Sequence, residues 1–437
     1  MKLFQSHLAA AVLIAASFAL GGHALAAPGK GTPPSKDAPA KPAKSPPSPN
    51  MMFYIAKGAP DSCGRGCDTW IAAEGQIDGS TAGRMRRFLA QHKDKSLPIY
   101  FFSPGGNVDQ SLQMGKLLRA RNATARVGRT LVKACETDKQ FDKACLKLKQ
   151  AGGVLDSDLA VRGSICASAC SYAFLGATTR EVSPEVVFGV HSGKIFLRFS
   201  GPVAPPAEVR AAFLRRSRDR SDLAIASYML NMGVSPDLYE LAKTIKFESM
   251  HAVTREELYR FKVDQRDFID LSWKFENRSQ RRFAFKLAIE RNEAKNTFRK
   301  VQWSAFCLTS ERFLLEFRRE TDGAALLAPR LTLAGLGPTP LEFVSRPTGA
   351  AVGQEVWYLS MSKTLFQSFI DKGEAEFLLT ALGDNSRPLR RAVKLSALGL
   401  SQAMTQVNEA CPAAAPNKGA PPAAEARPEA NILDLPI

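Results

Sequence analysis

Hydrophobic positions fall into two regimes along this chain. Residues 51–56 and 70–77 are short apolar runs that predict strands, residues 80–92 carry helical spacing, and Leu97-Pro98-Ile99-Tyr100-Phe101-Phe102 is a continuous apolar run of the buried-strand kind. Val108, Leu112, Met114, Leu117 and Leu118 mark a further helix, and residues 123–127 a further strand. Strands alternating with helices predict α/β layers with a mainly parallel sheet, whose functional loops gather at the carboxyl ends of the strands. After about residue 272 the pattern changes. Segments at 301–307, 312–317, 331–333, 341–344, 356–359 and 375–379 are short, strand-like and punctuated by Gly and Pro, which suggests an antiparallel sandwich. Residues 395–411 predict a closing amphipathic helix.

The two ends of the chain carry different patterns. Lys2 precedes an apolar run from Leu8 to Leu20, and Ala24-Leu25-Ala26 has the small-x-small form that a signal peptidase cuts, so residues 1–26 read as a secretory signal. No later stretch approaches the roughly 20 apolar residues of a spanning helix. The expectation is a periplasmic or secreted protein without a transmembrane segment. Residues 27–50 are nearly all Pro, Ala, Lys, Ser and Gly, which cannot bury enough apolar surface to offset chain entropy, and 412–437 reads the same way. Between them lie about 360 residues, more than one core usually holds. The predicted division is an α/β domain over 51–272 and a smaller β-rich domain over 273–411.

The formal net charge is +17, with clusters at Arg84-Arg86-Arg87, Arg215-Arg216-Arg218-Arg220 and Arg278-Arg281-Arg282. Aromatics are not interleaved with them as a stacking platform requires, so nucleic acid is not an expected partner. The clusters read as solvated faces, with at most weak contact to an anionic envelope surface. Eight cysteines in an exported chain read as disulfides. Cys307 and Cys411 stand alone in the C-terminal half and are paired; Cys135 with Cys145 and Cys63 with Cys67 are the local choices. Cys166 and Cys170 can bond each other or reach Cys63 or Cys67. A zinc site on Cys63, Cys67, Cys166 and Cys170 is the rival, with spacings at the edge of the ligand range. Disulfides are preferred, with no metal and no cofactor.

The chemistry concentrates in Gly163-Ser164-Ile165-Cys166-Ala167-Ser168-Ala169-Cys170-Ser171-Tyr172-Ala173-Phe174-Leu175-Gly176, where a serine opens a helix-like segment. It is preceded by Ser103-Pro104-Gly105-Gly106-Asn107-Val108 after a strand and followed by Gly189-Val190-His191 at a strand end. In that order these motifs resemble the proteolytic subunit of Clp protease and its crotonase-fold relatives. Together with CGxGCxxWIxAxGxI over 63–77 they look like an exported branch of that superfamily, over about residues 52–265. The segment between Val127 and Gly163, holding Cys135 and Cys145, is longer than in the compact Clp subunit.

The resemblance implies a Clp-like α/β fold, Ser168 as nucleophile and His191 as general base, chosen from His92, His191 and His251. A serine hydroxyl needs such a base to take its proton as it attacks. The Gly105-Gly106 turn and the N–H of Ala169 are the expected oxyanion donors. By the same resemblance the acid precedes the segment running from Thr254 to Asp264, which leaves Glu248 first and Asp237 second. Crotonase-fold peptidases with a lysine base make Lys243 or Lys246 the alternative. The implied activity is a serine peptidase or hydrolase on peptides or unfolded protein. With no GxxxxGK[ST] loop and no ATP in a periplasm, an ATP-driven partner is not expected. Residues 209–232 read as a helix with a basic face, and the resemblance makes a ring or trimer conceivable. The competing reading is a non-catalytic binding protein on the same fold, since Gly-Gly turns and lone histidines are more often structural. A crotonase acting on acyl-CoA is a poorer third reading, because coenzyme A is not a periplasmic substrate.

Overall fold

The computed structural model describes residues 48–196, 205–292, 295–320, 327–334, 342–345, 354–382 and 388–413. The expected signal at 1–26, nearly all of the 27–50 linker and most of the 412–437 tail lie outside them. From Ser48 onwards the chain is one unit.

β1 (Met52–Lys57) and β2 (Thr69–Glu74) run antiparallel, with Tyr54 opposite Ala72. α1 (Thr81–Gln91) leads to β3 (Ile99–Phe102) beside β2, and α2 (Val108–Arg121) to β4 (Thr124–Val127) beside β3, both pairings parallel. Asn107 starts α2 by accepting the Gln110 N–H at 3.0 Å, an Asn N-cap. The long segment after Val127 supplies β5 (Arg129–Val132), α3 (Lys143–Gln150) and β6 (Val154–Ala160). β6 pairs in parallel with β1 and antiparallel with β5, so this segment widens the sheet. A wholly buried ion pair ties it down: Lys149 Nζ of α3 lies 2.9 Å from Glu74 Oε2 on β2. Tyr54 donates its hydroxyl to the same carboxylate at 2.8 Å, and Thr130 its N–H at 2.7 Å. The buried charges are thus paired and hydrogen-bonded, as burial demands.

β7 (Ile165–Ala167), α4 (Ala169–Leu175), β8 (Thr179–Glu181) and β9 (Val187–Val190) follow. β8 closes the far edge, giving the mainly parallel order β5-β6-β1-β2-β3-β4-β8. α5 (Ala207–Asn231), α6 (Asp237–Thr244), β10 (His251–Ala252) and α7 (Arg255–Arg260) complete the α/β part, with a second sheet ordered β10-β9-β7. α2 and α4 approach through glycines: a Cβ on Gly176 would stand 2.2 Å from the Gly115 backbone. Tyr228 of α5 packs against the same place and donates its hydroxyl to Tyr172 O at 2.8 Å. That close approach brings α4, and the serine at its start, against the core of Met114, Leu118, Phe101 and Phe174.

The antiparallel regime begins at β11 (Phe268–Asp270), a little before the change of pattern in the sequence. β12 (Lys274–Arg278), β13 (Arg281–Asn292), β14 (Thr297–Thr309), β15 (Arg312–Glu320), β16 (Leu327–Ala334), β17 (Glu342–Ser345) and β18 (Gln354–Ser362) follow. α8 (Lys363–Lys372), β19 (Glu374–Leu382), β20 (Pro388–Ser396) and α9 (Leu400–Asn408) end the described chain. One sheet is ordered β11-β13-β14-β15-β18-β17 with β12 on β13, the other β16-β19-β20. Both sheets and both helices bury one core, where Trp303 lies 4.6 Å from Phe317 and 5.0 Å from Phe377 between ring centroids. The helix expected over 395–411 is shorter, because Ser396 still belongs to β20 and Gly399, at φ 82°, sets the start of α9. Cys307 on β14 bonds Cys411 just after α9, with 5.6 Å between Cα atoms.

Asp264 fastens the two regimes at their junction. Its side chain is fully buried, lies 2.5 Å from Arg266 and 3.0 Å from Arg255, and accepts the Val182 N–H at 2.9 Å. Burial pushes this carboxyl up, yet the hydrogen bond and charge of Arg266, with Arg255, hold it below the usual carboxylate range. A depressed folded pKa contributes stability above the unfolded value, about 3.9, that is lost as pH falls through the folded value. Asp264→Asn should therefore cost about 3 kcal/mol at neutral pH, since it removes the buried carboxylate charge on which Arg255 and the part-exposed Arg266 converge. In urea titrations the gap to wild type should narrow as the pH drops below about 4.

Candidate functional site

Three strand ends meet at Ser168. Just beyond β3, Ser103 forms an isolated parallel bridge with Cys166. It donates its N–H to Ile165 O at 2.9 Å and accepts the Ala167 N–H at 3.1 Å. On the other side β9 pairs with β7, placing Gly189 opposite Ala167 and its carbonyl 2.9 Å from the Ser168 N–H. The chain then turns into α4, and Ser168 takes a positive-φ backbone at φ 58°, ψ −125°. Such a conformation costs a non-glycine residue on the order of 1–3 kcal/mol and persists only where the surroundings over-determine it. Here Ser171 N donates to Ser168 O at 3.0 Å, and Ser171 Oγ to Gly189 O at 2.7 Å. A Cys166–Cys170 disulfide spans the turn. Ser171 was not singled out by sequence; its place three residues beyond Ser168 was the available signal.

The Ser103–Asn107 turn lies directly against this junction. Gly105 has φ 100°, and a Cβ there would come within 2.7 Å of Ser168 Cβ and 2.8 Å of Ala169 N. Gly106 has φ 140°, and a Cβ there would strike Ile77 O at 2.1 Å. Only glycine fits both places. The two glycines are not equivalent as donors. Gly105 gives its N–H to Ser103 Oγ at 3.1 Å, whereas no partner among the described residues takes the N–H of Gly106 or of Ala169. Among the described residues the unclaimed N–H of this turn is therefore that of Gly106, and on the serine side that of Ala169.

His191 follows β9, two residues beyond the glycine that binds Ser168 N. Its half-buried ring meets Phe247 edge to face at 5.0 Å, and its Nδ1 is buried without a hydrogen-bond partner. No hydrogen bond joins Ser168 Oγ to His191 among the described residues. Ser192 N donates to Ile245 O at 3.0 Å, which draws the segment after α6 alongside. Glu248 on that segment is exposed and pairs with Lys194 at 2.5 Å, whose ammonium also sits 4.3 Å over the Phe247 ring. The Lys194 hydrogen bond holds the Glu248 carboxyl below its usual range, with a smaller contribution from His191. Glu248 is thus within electrostatic reach of His191 but bonded to Lys194. Asp237 is exposed at the start of α6 and accepts the Ser235 hydroxyl at 3.0 Å, a helix-terminal role. Lys243 pairs with Glu240 at 2.9 Å, and Lys246 is exposed.

The structure also holds an imidazole–carboxylate pair that the sequence reading did not assign. His251 on β10 stands opposite Val190 of β9, and its Nε2 lies 2.7 Å from Glu257 Oε2. Glu257 completes a capping box with Thr254, and that box in Thr254-Arg255-Glu256-Glu257 was the legible signal. The remaining disulfides are Cys63–Cys67 and Cys135–Cys145. With Cys63 bonded to Cys67 and Cys166 to Cys170, the four thiols of the rival zinc site are consumed pairwise. No group of three or more metal-ligating side chains occurs among the described residues.

No family model matches this chain, and no curated protein matches it. Among solved structures it is similar to a mutant of the 1510-N membrane-bound stomatin-specific protease, at 16% identity and TM-score 0.26, over 44% of this chain and 75% of that one. It is similar to a ClpP1 mutant from Listeria monocytogenes at 15% identity and TM-score 0.26, over 49% and 88%. A third is invasion associated protein b from Bartonella henselae, at 14% identity and TM-score 0.25, over 32% and 96%. No helix among the described residues is long and apolar enough to cross a membrane, and the four disulfides are compatible with an extracytoplasmic location.

Gly105→Ala tests the fit of the turn against the serine. Its Cβ would lie 2.6 Å from Ala167 O, so the variant should lose reaction of Ser168 with acylating or phosphonylating probes by about tenfold or more. Unfolding of the β-rich core should be unchanged, measured by near-ultraviolet circular dichroism of Trp303 and Trp357.

Proposed function

We propose that this protein is a serine peptidase or related hydrolase of Clp-like architecture, acting on peptides or unfolded protein without ATP in an oxidising compartment outside the cytoplasm. The observation that carries the reading is the backbone at Ser168. A serine held at positive φ between a strand and a helix has beside it two N–H groups, of Gly106 and Ala169, that no acceptor among the described residues takes. Such donors suit an oxygen that becomes negative during reaction.

In this reading Ser168 Oγ attacks the acyl carbon while its proton passes to His191. The carbonyl oxygen becomes the oxyanion and is held by the N–H groups of Gly106 and Ala169. Collapse of the tetrahedral species breaks the bond to the leaving amine, which takes the proton from His191; water then releases the acyl group by the reverse roles. The imidazole reaches Ser168 by rotating away from Phe247, consistent with catalytic hydrogen bonds that tighten only when substrate is bound. Glu248 orients His191 after leaving Lys194. The β-rich part serves substrate or partner binding, and α5 is the surface available for self-assembly.

The second reading, a non-catalytic binding protein, is favoured by one specific feature: Nδ1 of His191 has no hydrogen-bond partner among the described residues. Labelling the mature protein with a fluorophosphonate separates the two. Wild type should label, Ser168→Ala should not, and His191→Ala should label at least about 100-fold more slowly. Equal labelling of wild type and Ser168→Ala, or none of either, overturns the enzyme.

A further inference from the structure

We infer that the Cys166–Cys170 disulfide is the positioning element that arms Ser168, so that the site is assembled only after a thiol–disulfide oxidant has closed this bond. The inference rests on the hydrolase reading above and names a control of that same site.

The bond spans the proposed nucleophile symmetrically. Cys166 lies in β7, in register with Phe188 of β9 and bridged to Ser103 beyond β3, so its backbone is fixed from both sides. Cys170 is the second residue of α4. Between them Ser168 holds a backbone that L-residues avoid, and the elements on either side are short: β7 has three residues and α4 seven. A helix of that length does not sustain itself. What keeps the turn in its positive-φ state is the set of hydrogen bonds on Gly189 O and the covalent tie from strand to helix. Without the tie, relaxation of Ser168 to negative φ reorients the peptide that carries Ala169 N–H and moves it off the Gly105–Gly106 turn. The other three disulfides bond Cys63 to Cys67, Cys135 to Cys145 and Cys307 to Cys411, none of them across Ser168.

The step balances as ordinary exchange. The two thiols give up two protons and two electrons, and the oxidant, a disulfide, becomes a dithiol; a thiolate attacks the oxidant first, and the second cysteine resolves the mixed disulfide. Both cysteines are wholly buried, so the bond forms before α4 has packed onto the core and is then shielded from external thiols. The chain therefore stays unarmed while reduced, and oxidation during maturation switches the serine on.

The test uses the full chain, the double variant Cys166→Ala/Cys170→Ala, and Cys135→Ala/Cys145→Ala as a control for losing a disulfide elsewhere. Two quantities are read: the rate of fluorophosphonate labelling and the hydrogen exchange of backbone amides over 165–175. The first variant should label about tenfold or more slowly and lose protection over 165–175, with protection in β13–β15 unchanged. The control should label like wild type. Wild-type labelling by the first variant, or unchanged protection over 165–175, overturns the inference. If oxidised wild type does not label at all, the hydrolase reading fails, and the exchange result alone then decides whether the bond holds the turn. Should the double variant not fold, wild type refolded in graded reductant replaces it, with each bond followed by mass spectrometry. Labelling must then be lost in step with the Cys166–Cys170 bond; loss that tracks another bond overturns the inference.

Discussion

A single backbone constraint governs the site: a non-glycine residue held at positive φ where a strand turns directly into a helix. Ser168 can be held there because Ser103, Gly189 and Ser171 supply hydrogen bonds around it and the Cys166–Cys170 bond closes the turn. Each of these depends on something further out. Ser103 is placed by β3 at the centre of the parallel sheet, Gly189 by β9, and α4 by its glycine contact with α2 at Gly115 and Gly176. The strain is local, but its support runs through the whole α/β core.

The same constraint fixes the choice of donors. The turn at Ser168 leaves the buried N–H of Ala169 without a partner among the described residues, and the glycine turn can lie against it only because Gly105 and Gly106 have no side chains. Ser103 Oγ takes the first glycine's N–H and leaves the second's unclaimed. The acidic side of the site is less fixed. Glu248 is drawn to Lys194, Phe247 packs on His191, and the pair His251–Glu257 lies one strand further along the β10-β9-β7 sheet. At the other end of the α/β part, Asp264 ties the residue after its edge strand, Val182, to Arg255 of α7 and to Arg266 just before β11.

Features whose cause is local were legible in the chain. Short apolar runs and helical spacing located β1 to β4, α1 and α2, and small-residue motifs marked both turns, because only Gly or a tightly held Ser fits them. What sequence could not separate were contacts set by three-dimensional register. The choice between Gly105 and Gly106 turns on where Ser103 Oγ points, and the preference for Glu248 could not anticipate Lys194, fifty-four residues away in sequence. The segment after Val127 read only as longer than in the compact Clp subunit; Lys149 and Glu74 draw it into the sheet as β5 and β6. The helix expected over 395–411 began late because alternation in Val393 and Leu395 continues a strand up to Ser396.

The central claim, that Gly106 and Ala169 form an oxyanion site for Ser168, is tested most directly by a crystal structure of the protein with a peptide boronic acid. Boron should be bonded to Ser168 Oγ, with one boronate oxygen within hydrogen-bond distance of both Gly106 N and Ala169 N. Boronate bound away from Ser168, or bound there with neither N–H facing it, would contradict the account.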